Sequence, residues 1–261
     1  MLKTLPKLGS KGAMHINLPP KKEKLGFTLA EVLITLGIIG VVAAITIPGL
    51  INNYKAKQLR TQFLKSYSVI SQALKLMQSD DISSDPRDYT ADNYHKALAR
   101  YLNAPTLCNG YIDQNNGVKN SAPAGCYVYK INTKDEDYTG KEYTYLRGNG
   151  KVPDGLFNNG QIMLPDGTLI FFDDGPIREG WKGVMIMVDI NGSTKGPNKL
   201  GYDFFAFEIL DGALHTIGDP ETSYKYTEKC NLDNKILQGW QCATQAKSDA
   251  EYFKKVVKKV K

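Results

Sequence analysis

One carboxylate stands alone in the most apolar part of the chain. Glu31 is the only ionisable side chain between Phe27 and Leu50. A carboxylate at the fifth position of a membrane span costs about 2.5–3.5 kcal/mol on insertion scales. Two kinds of chemistry would offset this cost. Glu31 is either a first-turn acid that the helix N-terminus stabilises, or the counter-ion of a cation that another helix delivers.

The four cysteines form a second set with chemistry of its own, and they are Cys108, Cys126, Cys230 and Cys242. They include no CxxC pair and have no nearby His pair, so they do not predict a zinc site. An even count favours disulfides in a domain that is exported from the cytoplasm. Four cysteines allow three connectivities, of which loop proximity favours Cys108–Cys126 with Cys230–Cys242. Each bridge would contribute about 2–4 kcal/mol to stability.

The remaining polar residues do not form a recognisable catalytic set. The chain has three histidines, His15, His95 and His215, and no GxSxG, HExxH or phosphate-binding loop. His95 has polar neighbours in the sequence, which predicts a position on the surface. We therefore expect that the protein is not an enzyme.

The apolar run that contains Glu31 is long enough to cross a membrane. A helix of its 24 residues would be roughly 36 Å long, against a hydrocarbon core of about 30 Å. Lys21, Lys22 and Lys24 precede the run and favour a cytoplasmic N-terminus. The run is longer than the apolar core of an ordinary secretory signal, which predicts that it is retained. The body of the protein should therefore lie across the membrane.

The charge of the chain is concentrated at its two ends, although the net charge is +6 overall. Residues 1–26 hold six Lys and one Glu, and residues 247–261 hold six Lys against two acidic residues. The intervening body therefore carries a net charge of −3. Nucleic-acid binding by this body receives no support from charge.

Residues 24–33, with the sequence KLGFTLAEVL, carry a family resemblance. A short basic leader ends in Gly26, an aromatic residue follows at Phe27, and Glu31 lies five residues past the glycine. This combination resembles the prepilin signal of type IV pilins and type II secretion pseudopilins. The similarity continues to about residue 78, a little under a third of the chain. The single acid and the basic leader make it far more specific than an apolar run alone.

The resemblance implies how the chain is processed and assembled. Prepilin peptidase would cut between Gly26 and Phe27 on the cytoplasmic face, and the new Phe27 amine would be methylated. An assembly ATPase and a platform membrane protein would then drive the subunit into a helical filament. There Glu31 would face the Phe27 amine of a neighbour, which removes the cost of burying either charge alone. The pairing Cys230–Cys242 also resembles the disulfide-bound C-terminal region of many pilins.

Gly40, Pro48 and Gly49 are weak points of the predicted helix. Proline removes a backbone hydrogen bond and clashes with the preceding turn. One interpretation is a kink of the kind that membrane helices tolerate. The resemblance implies instead that this region unwinds locally in a filament and lets the subunit stretch and repack.

Asp189, Asn191 and Asp203 offer hard oxygen ligands near one predicted loop. Major pseudopilins, which the chain resembles, bind calcium in a loop near the end of the sheet. The EF-hand pattern is absent, because no Glu stands at its twelfth position. Asx-turn chemistry explains the Asp-x-Asn-Gly sequence equally well. Apart from this calcium, no cofactor is expected.

Past Pro48 the sequence becomes amphipathic, with one apolar stripe in steps of three and four residues. The stripe consists of Leu59, Phe63, Tyr67, Ile70, Leu74 and Met77. It predicts a helix that leaves the membrane, lies against a sheet and ends near residues 79–81.

Alternating and continuous runs of β-forming residues predict that sheet. The runs are residues 127–131, 161–164, 168–172, 184–190, 204–210 and 213–217. A short second helix is expected at 91–103. The Lys-rich tail at 250–261 has one apolar side, and it docks on the domain, touches anionic lipid or frays in solvent. The predicted fold class is α+β, a pilin-like roll in which a long N-terminal helix packs on a mainly antiparallel sheet of four to six strands.

These observations divide the chain into four parts. A cleaved leader (1–26) precedes the transmembrane and assembly half of the helix (27–51), its amphipathic half (52–80), and a globular domain (81–261) with a C-terminal disulfide region and a basic tail. The expected location is the bacterial inner membrane, crossed once with the N-terminus cytoplasmic. The globular domain would be periplasmic or extracellular.

The predicted function is a structural subunit of a type II secretion pseudopilus or a type IV pilus. Its partners would be other pilin-like subunits, the assembly machinery and, before assembly, membrane lipid. A minor pilin that binds DNA or a surface is the alternative within this class. An extracytoplasmic enzyme tethered by the helix is the alternative from another class, although a tether has no reason to keep Glu31.

Overall fold

The computed structural model describes residues 26–89, 93–108, 111–113, 118–119, 122–131, 142–148, 150–157, 159–173, 183–222 and 229–260. The predicted leader therefore lies outside the described residues, apart from Gly26. The chain divides into two compact units, Met1–Ile47 and Pro48–Lys261, which we describe separately. The helices are α1 (Leu29–Ser79), α2 (Tyr94–Ala99), α3 (Cys242–Ser248) and α4 (Tyr252–Lys259), with 3₁₀ turns at Pro86–Asp88 and Asp154–Phe157. The strands are β1 (Thr106–Cys108), β2 (Tyr111–Asp113), β3 (Val118–Lys119), β4 (Tyr129–Ile131), β5 (Gln161–Met163), β6 (Leu169–Asp173), β7 (Val184–Asp189), β8 (Phe204–Leu210) and β9 (Ala213–Thr216).

The described part of the first unit is mainly the N-terminal part of α1. Its residues from 26 to 47 are all exposed, apart from the half-buried Ala43. Within the described residues α1 is the one helix long and apolar enough to cross a membrane, with a mean hydropathy of 2.4 over its most apolar 18 residues. Its length and composition therefore fit the predicted span.

The second unit begins with the amphipathic part of α1, which packs on the sheet. Five of the six residues in the predicted stripe are at most 2% exposed. The sixth, Tyr67, is half-buried and donates its hydroxyl hydrogen to the carbonyl of Leu214 at 3.0 Å. Phe63 lies against Phe205 of β8, with ring centroids 4.7 Å apart. The prediction of an apolar stripe against a sheet is confirmed.

The main sheet has six antiparallel strands in the order β1–β5–β6–β7–β8–β9. Every residue of β7 and β8 is buried. One face packs in the same apolar core as α1, α2, α3 and α4. The other face packs against Tyr127, Tyr143 and Phe157 from the connecting segments. Because both faces are covered, these two strands are almost uninterrupted apolar runs in the sequence.

The sheet differs in one detail from the predicted arrangement. The run at 127–131 contributes β4, but β4 pairs in a separate three-stranded sheet of order β3–β2–β4. In that sheet β2 and β4 are parallel. The predicted hairpin between the fifth and sixth strands is present, with the turn at Asp166 and Gly167. The α+β class with a long N-terminal helix and an antiparallel sheet is confirmed.

The expected surface position of His95 is wrong, because this residue of α2 is only 4% exposed. Its ring centroid lies 5.9 Å from that of Phe172, and a Cβ built on Gly160 would overlap its imidazole. Its neighbour Lys96 is exposed. The packing of α2 against the sheet decides the burial of His95, and the polarity of its sequence neighbours does not report that packing.

The basic tail forms α4 and docks on the globular unit. Its apolar side is buried and consists of Tyr252, Phe253, Val256 and Val257, followed by Val260. The ring of Phe253 lies 5.8 Å from that of Phe63 and 5.9 Å from that of Phe205. Of the three alternatives for the tail, the structure therefore shows docking.

The structure contains the two disulfides with the shortest loops. Cys108 pairs with Cys126 across a Cα–Cα distance of 5.7 Å, and Cys230 pairs with Cys242 across 5.0 Å. The first ties β1 to the segment that leads into β4. The second closes a loop in front of α3, and by the loop-entropy model a closure of this size contributes about 3 kcal/mol.

Candidate functional site

Glu31 lies in the first turn of α1 and forms reciprocal hydrogen bonds with Thr28. Its Oε2 accepts from the Thr28 backbone N–H and from the Thr28 hydroxyl, both at 2.8 Å. The Glu31 backbone N–H donates to Thr28 Oγ1 at 3.2 Å. Thr28 is thus the N-cap of the helix and Glu31 its third residue, an arrangement called a capping box. In the single subunit Glu31 therefore acts as a first-turn acid, the first of the two kinds of chemistry considered above.

The capping box separates the two roles that Glu31 can play. Gln at the same position can reach back to the N-cap as Glu does, so it preserves the cap. It carries no charge, however, and cannot act as a counter-ion. A role in charge pairing and a role in capping are therefore distinguishable by the single substitution Glu31→Gln.

The predicted cleavage site lies immediately outside the helix. Gly26, Phe27 and Thr28 precede the first helical residue, and Phe27 is 88% exposed. Among the described residues, apart from its chain neighbours, no atom lies within 4 Å of the position that a Cβ on Gly26 would occupy. Proteolysis needs an accessible, unstructured peptide bond, and the Gly26–Phe27 bond meets that requirement.

Beyond Glu31 the helix presents an uninterrupted apolar surface. Each large apolar side chain from Leu29 to Ile47 is at least 40% exposed. They are Leu29, Val32, Leu33, Ile34, Leu36, Ile38, Ile39, Val41, Val42, Ile45 and Ile47. Exposed apolar patches of more than a few hundred Å² mark membrane or protein contacts. This surface must therefore be shielded from water by lipid, by other helices, or by lipid first and by other helices later.

The predicted weak points are all helical in the structure. Gly40, Pro48 and Gly49 lie inside α1, which is continuous from Leu29 to Ser79. No atom lies within 4 Å of a Cβ built on Gly40 or on Gly49. Neither glycine is thus required by a close contact in the subunit. Local unwinding of this region stays a prediction.

The three predicted calcium ligands meet in one buried cluster between β7 and β8. Asp189 and Asp203 are fully buried and Asn191 is 7% exposed. Asp189 accepts from the Tyr143 hydroxyl at 2.7 Å and from the backbone N–H groups of Asn191 and Gly192 at 3.1 and 2.8 Å. The Asn191 side-chain amide donates to Asp203 at 3.3 Å and so joins the two carboxylates into one network.

Asp203 is held in a similar way. It accepts from the backbone N–H groups of Asn198 and Lys199 at 3.1 and 2.8 Å. The contacts of Asp189 with the N–H groups two and three residues on are those of an Asx turn, whereas Asp203 bonds to N–H groups four and five residues earlier and so closes the loop. In the described part of the chain the Asn191 Oδ1 atom is buried and has no hydrogen-bond partner.

The pKa values of both carboxyl groups are raised. Burial and the charge of Asp203 raise the pKa of Asp189 to about 7, from an ordinary value of 3.8. Burial also raises the pKa of Asp203, although its backbone donors oppose the effect. At neutral pH the cluster therefore needs a proton or a cation to balance its charge. Its hard oxygens and its unsatisfied Asn191 oxygen are chemically suited to calcium, and calcium binding there stays a prediction.

The pH dependence of folding stability shows whether a proton or a calcium ion balances the charge of the cluster. A carboxyl group whose pKa is higher in the folded chain stabilises fully below about pH 4, and that contribution is lost as the pH rises through about 7. We expect the substitution Asp189→Asn to remove this loss of folding stability at higher pH, which is on the order of a few kcal/mol. Thermal unfolding at about pH 5 and about pH 8, with and without about 1 mM calcium, measures it.

Calcium binding would give a different pattern in the same measurements. Calcium needs the ionised carboxylates, so it would raise the melting temperature of the wild type at about pH 8. It would not do so in Asp189→Asn. Asp166→Asn, a change of a partly exposed acid outside the cluster, is the control. If calcium has no effect on the wild type, the proton balances the cluster and the calcium prediction is wrong.

Two features have sequence signals that the predictions above do not use. Thr-x-x-Glu at residues 28–31 is the pattern of a capping box. His215, Asp219 and Glu221 follow the edge strand β9 and bring potential metal-ligand atoms within 4.8 Å of one another. The His215 Nδ1 atom is 3.5 Å from Glu221 Oε2 and 3.9 Å from Asp219 Oδ2. His215 thus lies within ion-pair distance of both acids.

The long apolar helix, its amphipathic continuation and the six-stranded antiparallel sheet together define a pilin-like α+β architecture. Residues 21–47 match the family model of the prokaryotic N-terminal methylation motif. The chain thus carries the prepilin-type signature of type IV pilins and pseudopilins. No curated protein and no solved structure matches the chain at a significant level.

Proposed function

We propose that the protein is a filament subunit that prepilin peptidase processes and that polymerises into a type II secretion pseudopilus or a type IV pilus. The observation that carries the proposal is the methylation motif on an exposed apolar helix with a single acid, Glu31. A helix that only anchors could use this acid at most to cap its N-terminus. A helix that packs against copies of itself can use it to bind a neighbour's terminal amine.

The proposal has consequences for location and partners. The subunit would be inserted in the inner membrane with its N-terminus cytoplasmic, since three lysines directly precede the apolar helix. Its globular unit would lie in the periplasm or outside the cell, where the two disulfides are stable. Its partners would be prepilin peptidase, other pilin-like subunits, and a platform protein with its ATPase.

The alternatives make different use of the same helix. A tethered enzyme would need a catalytic set of residues, and the sequence contains no GxSxG, HExxH or phosphate-binding loop. A minor pilin that binds DNA or a surface would share the processing step and the helix. The methylation motif favours a structural subunit over an enzyme.

Processing at the predicted bond is the direct test of the proposal. We expect mass spectrometry of the mature protein to find a chain that begins at methylated Phe27. Gly26→Val should leave the full-length precursor, because a branched side chain replaces the glycine beside the scissile bond. Gly26→Ala is the matched control, and we expect it to be cut. A mature chain that still begins at Met1, or that is cut after Ala44, contradicts the assignment.

A further inference from the structure

A strongly basic cavity of about 380 Å³ opens where α4 ends. Five of its eight lining residues are cationic and none is acidic. The cations are Arg147, Lys199, Lys235, Lys258 and Lys259. All belong to the globular unit, and none lies on α1.

The cations come from four separate segments that the fold holds together. The backbone N–H of Arg147 donates to the carbonyl of Leu237 at 2.9 Å, which joins two of these segments. The Arg147 guanidinium donates through Nη2 to the carbonyl of Lys259 at 2.9 Å and so fastens the end of α4. Lys235 lies in the loop that the Cys230–Cys242 disulfide closes. The cavity is therefore built by the fold and does not depend on a flexible tail.

The positive charge of this cavity is only partly balanced. Asp233 pairs with Lys259, whose hydrogen bond and charge lower the pKa of that carboxyl group, with a smaller effect from the charge of Arg147. Within the described residues Lys235 and Lys258 have neither an ion-pair partner nor a side-chain hydrogen bond. The Arg147 Nε–H group is buried and has no acceptor in the same part of the chain. The cations that line the cavity repel one another, so a bound anion would stabilise them in this position.

We propose that this cavity binds a compact anion that carries several phosphoryl groups. Its volume is at the lower end of the range of about 300–1,000 Å³ for small-molecule sites. A guanidinium and several ammonium groups match the geometry and charge of phosphate oxygens. No aromatic residue lines the cavity, although stacking on aromatic rings is how extended single-stranded nucleic acids are usually held.

Titration of the full-length chain in neutral-detergent micelles with inorganic tripolyphosphate tests the proposal. We expect saturable binding with one site per chain. Raising the salt from about 0.01 M to about 0.1 M shortens the screening length from about 30 Å to about 10 Å, so the affinity should fall. This titration needs no variant. An absence of saturable binding to the wild type at the lower salt overturns the proposal.

Two double variants with the same change in net charge locate the site. Lys235→Gln with Lys258→Gln removes two exposed cations from the cavity, and we expect the affinity for tripolyphosphate to fall at least about tenfold. Lys254→Gln with Lys255→Gln changes two exposed lysines of α4 that pair with Glu251 and Asp249 instead. We expect this control to bind within about twofold of the wild type. Equal losses in the two double variants overturn the proposal, because they indicate a general effect of charge.

Competition by a lipid and binding of a DNA duplex show which kind of molecule supplies the phosphoryl groups. Competition by a short-chain cardiolipin, whose headgroup carries two phosphoryl groups, supports the site and assigns it to a lipid headgroup if the competition is lost in the Lys235→Gln and Lys258→Gln variant. Binding of tripolyphosphate without competition by this lipid supports a free phosphorylated compound. Binding of a DNA duplex with no binding of tripolyphosphate overturns the assignment of a compact ligand.

Discussion

Glu31→Gln is expected to abolish filament assembly while leaving cleavage and membrane insertion intact. The substitution keeps the capping box, because Gln can bond to Thr28 in place of Glu. It removes the charge that would pair with the Phe27 amine of a neighbour. Breaking a buried ion pair by removing one partner costs about 3–5 kcal/mol. Each contact would therefore lose two orders of magnitude or more in affinity, since about 1.4 kcal/mol corresponds to tenfold.

Thr28→Val is the matched control for this experiment. It removes the N-cap hydroxyl and keeps the charge of Glu31, so its cost should be about 1 kcal/mol in helix stability. We expect filaments to form, with at most a modest loss. Glu31→Asp should restore assembly only in part, because its carboxylate is one methylene shorter. Cross-linking of subunits and the recovery of sheared filaments measure assembly, and mass spectrometry of the membrane fraction measures cleavage.

The opposite result would identify a different role for the helix. If Glu31→Gln and Glu31→Leu assemble and function normally, the charge has no partner, and the proposed pairing of Glu31 with the Phe27 amine in assembly is wrong. In a simple anchor, Glu31→Leu removes a group that costs about 2.5–3.5 kcal/mol in lipid and should improve insertion. If Thr28→Val fails while Glu31→Gln assembles, the acid serves only to cap the helix.

The parts of the fold with strong periodicity could be predicted from the sequence. The stripe from Leu59 to Met77 repeats at helical spacing because one face of α1 is buried, and the structure confirms it. The runs that form β7 and β8 are apolar because both faces of the sheet are covered. In each case a buried face needs apolar side chains at regular positions, and this spacing is visible within a short stretch of the sequence.

Features that depend on distant segments could not be predicted in the same way. His95 lies among polar neighbours in the sequence, but its burial comes from the packing of α2 on Gly160 and Phe172. The basic cavity joins cations from four segments, and each lysine alone resembles an ordinary solvated residue. The hydroxyl of Tyr143 reaches Asp189 from 46 positions away. No short window of sequence reports such contacts.

Phe63→Ala should destabilise the globular unit more than any other substitution considered above. Phe63 is fully buried, and its ring centroid lies 4.7 Å from that of Phe205 and 5.8 Å from those of Phe207 and Phe253. It thus connects α1 to the sheet and to α4 at one point. Truncation of a buried Phe to Ala costs about 3–5 kcal/mol, through lost transfer free energy and the cavity that remains. This is a large part of a typical stability of about 5–15 kcal/mol.

Leu64→Ala provides the control, because Leu64 is the next residue of the same helix and is 37% exposed. We expect it to cost less than about 1 kcal/mol, since the side chain already contacts solvent. Urea unfolding of the detergent-solubilised chain, followed by tryptophan fluorescence, should show a much lower midpoint for Phe63→Ala and an unchanged slope. Equal shifts for the two variants would mean that the amphipathic part of α1 does not pack on the sheet through Phe63.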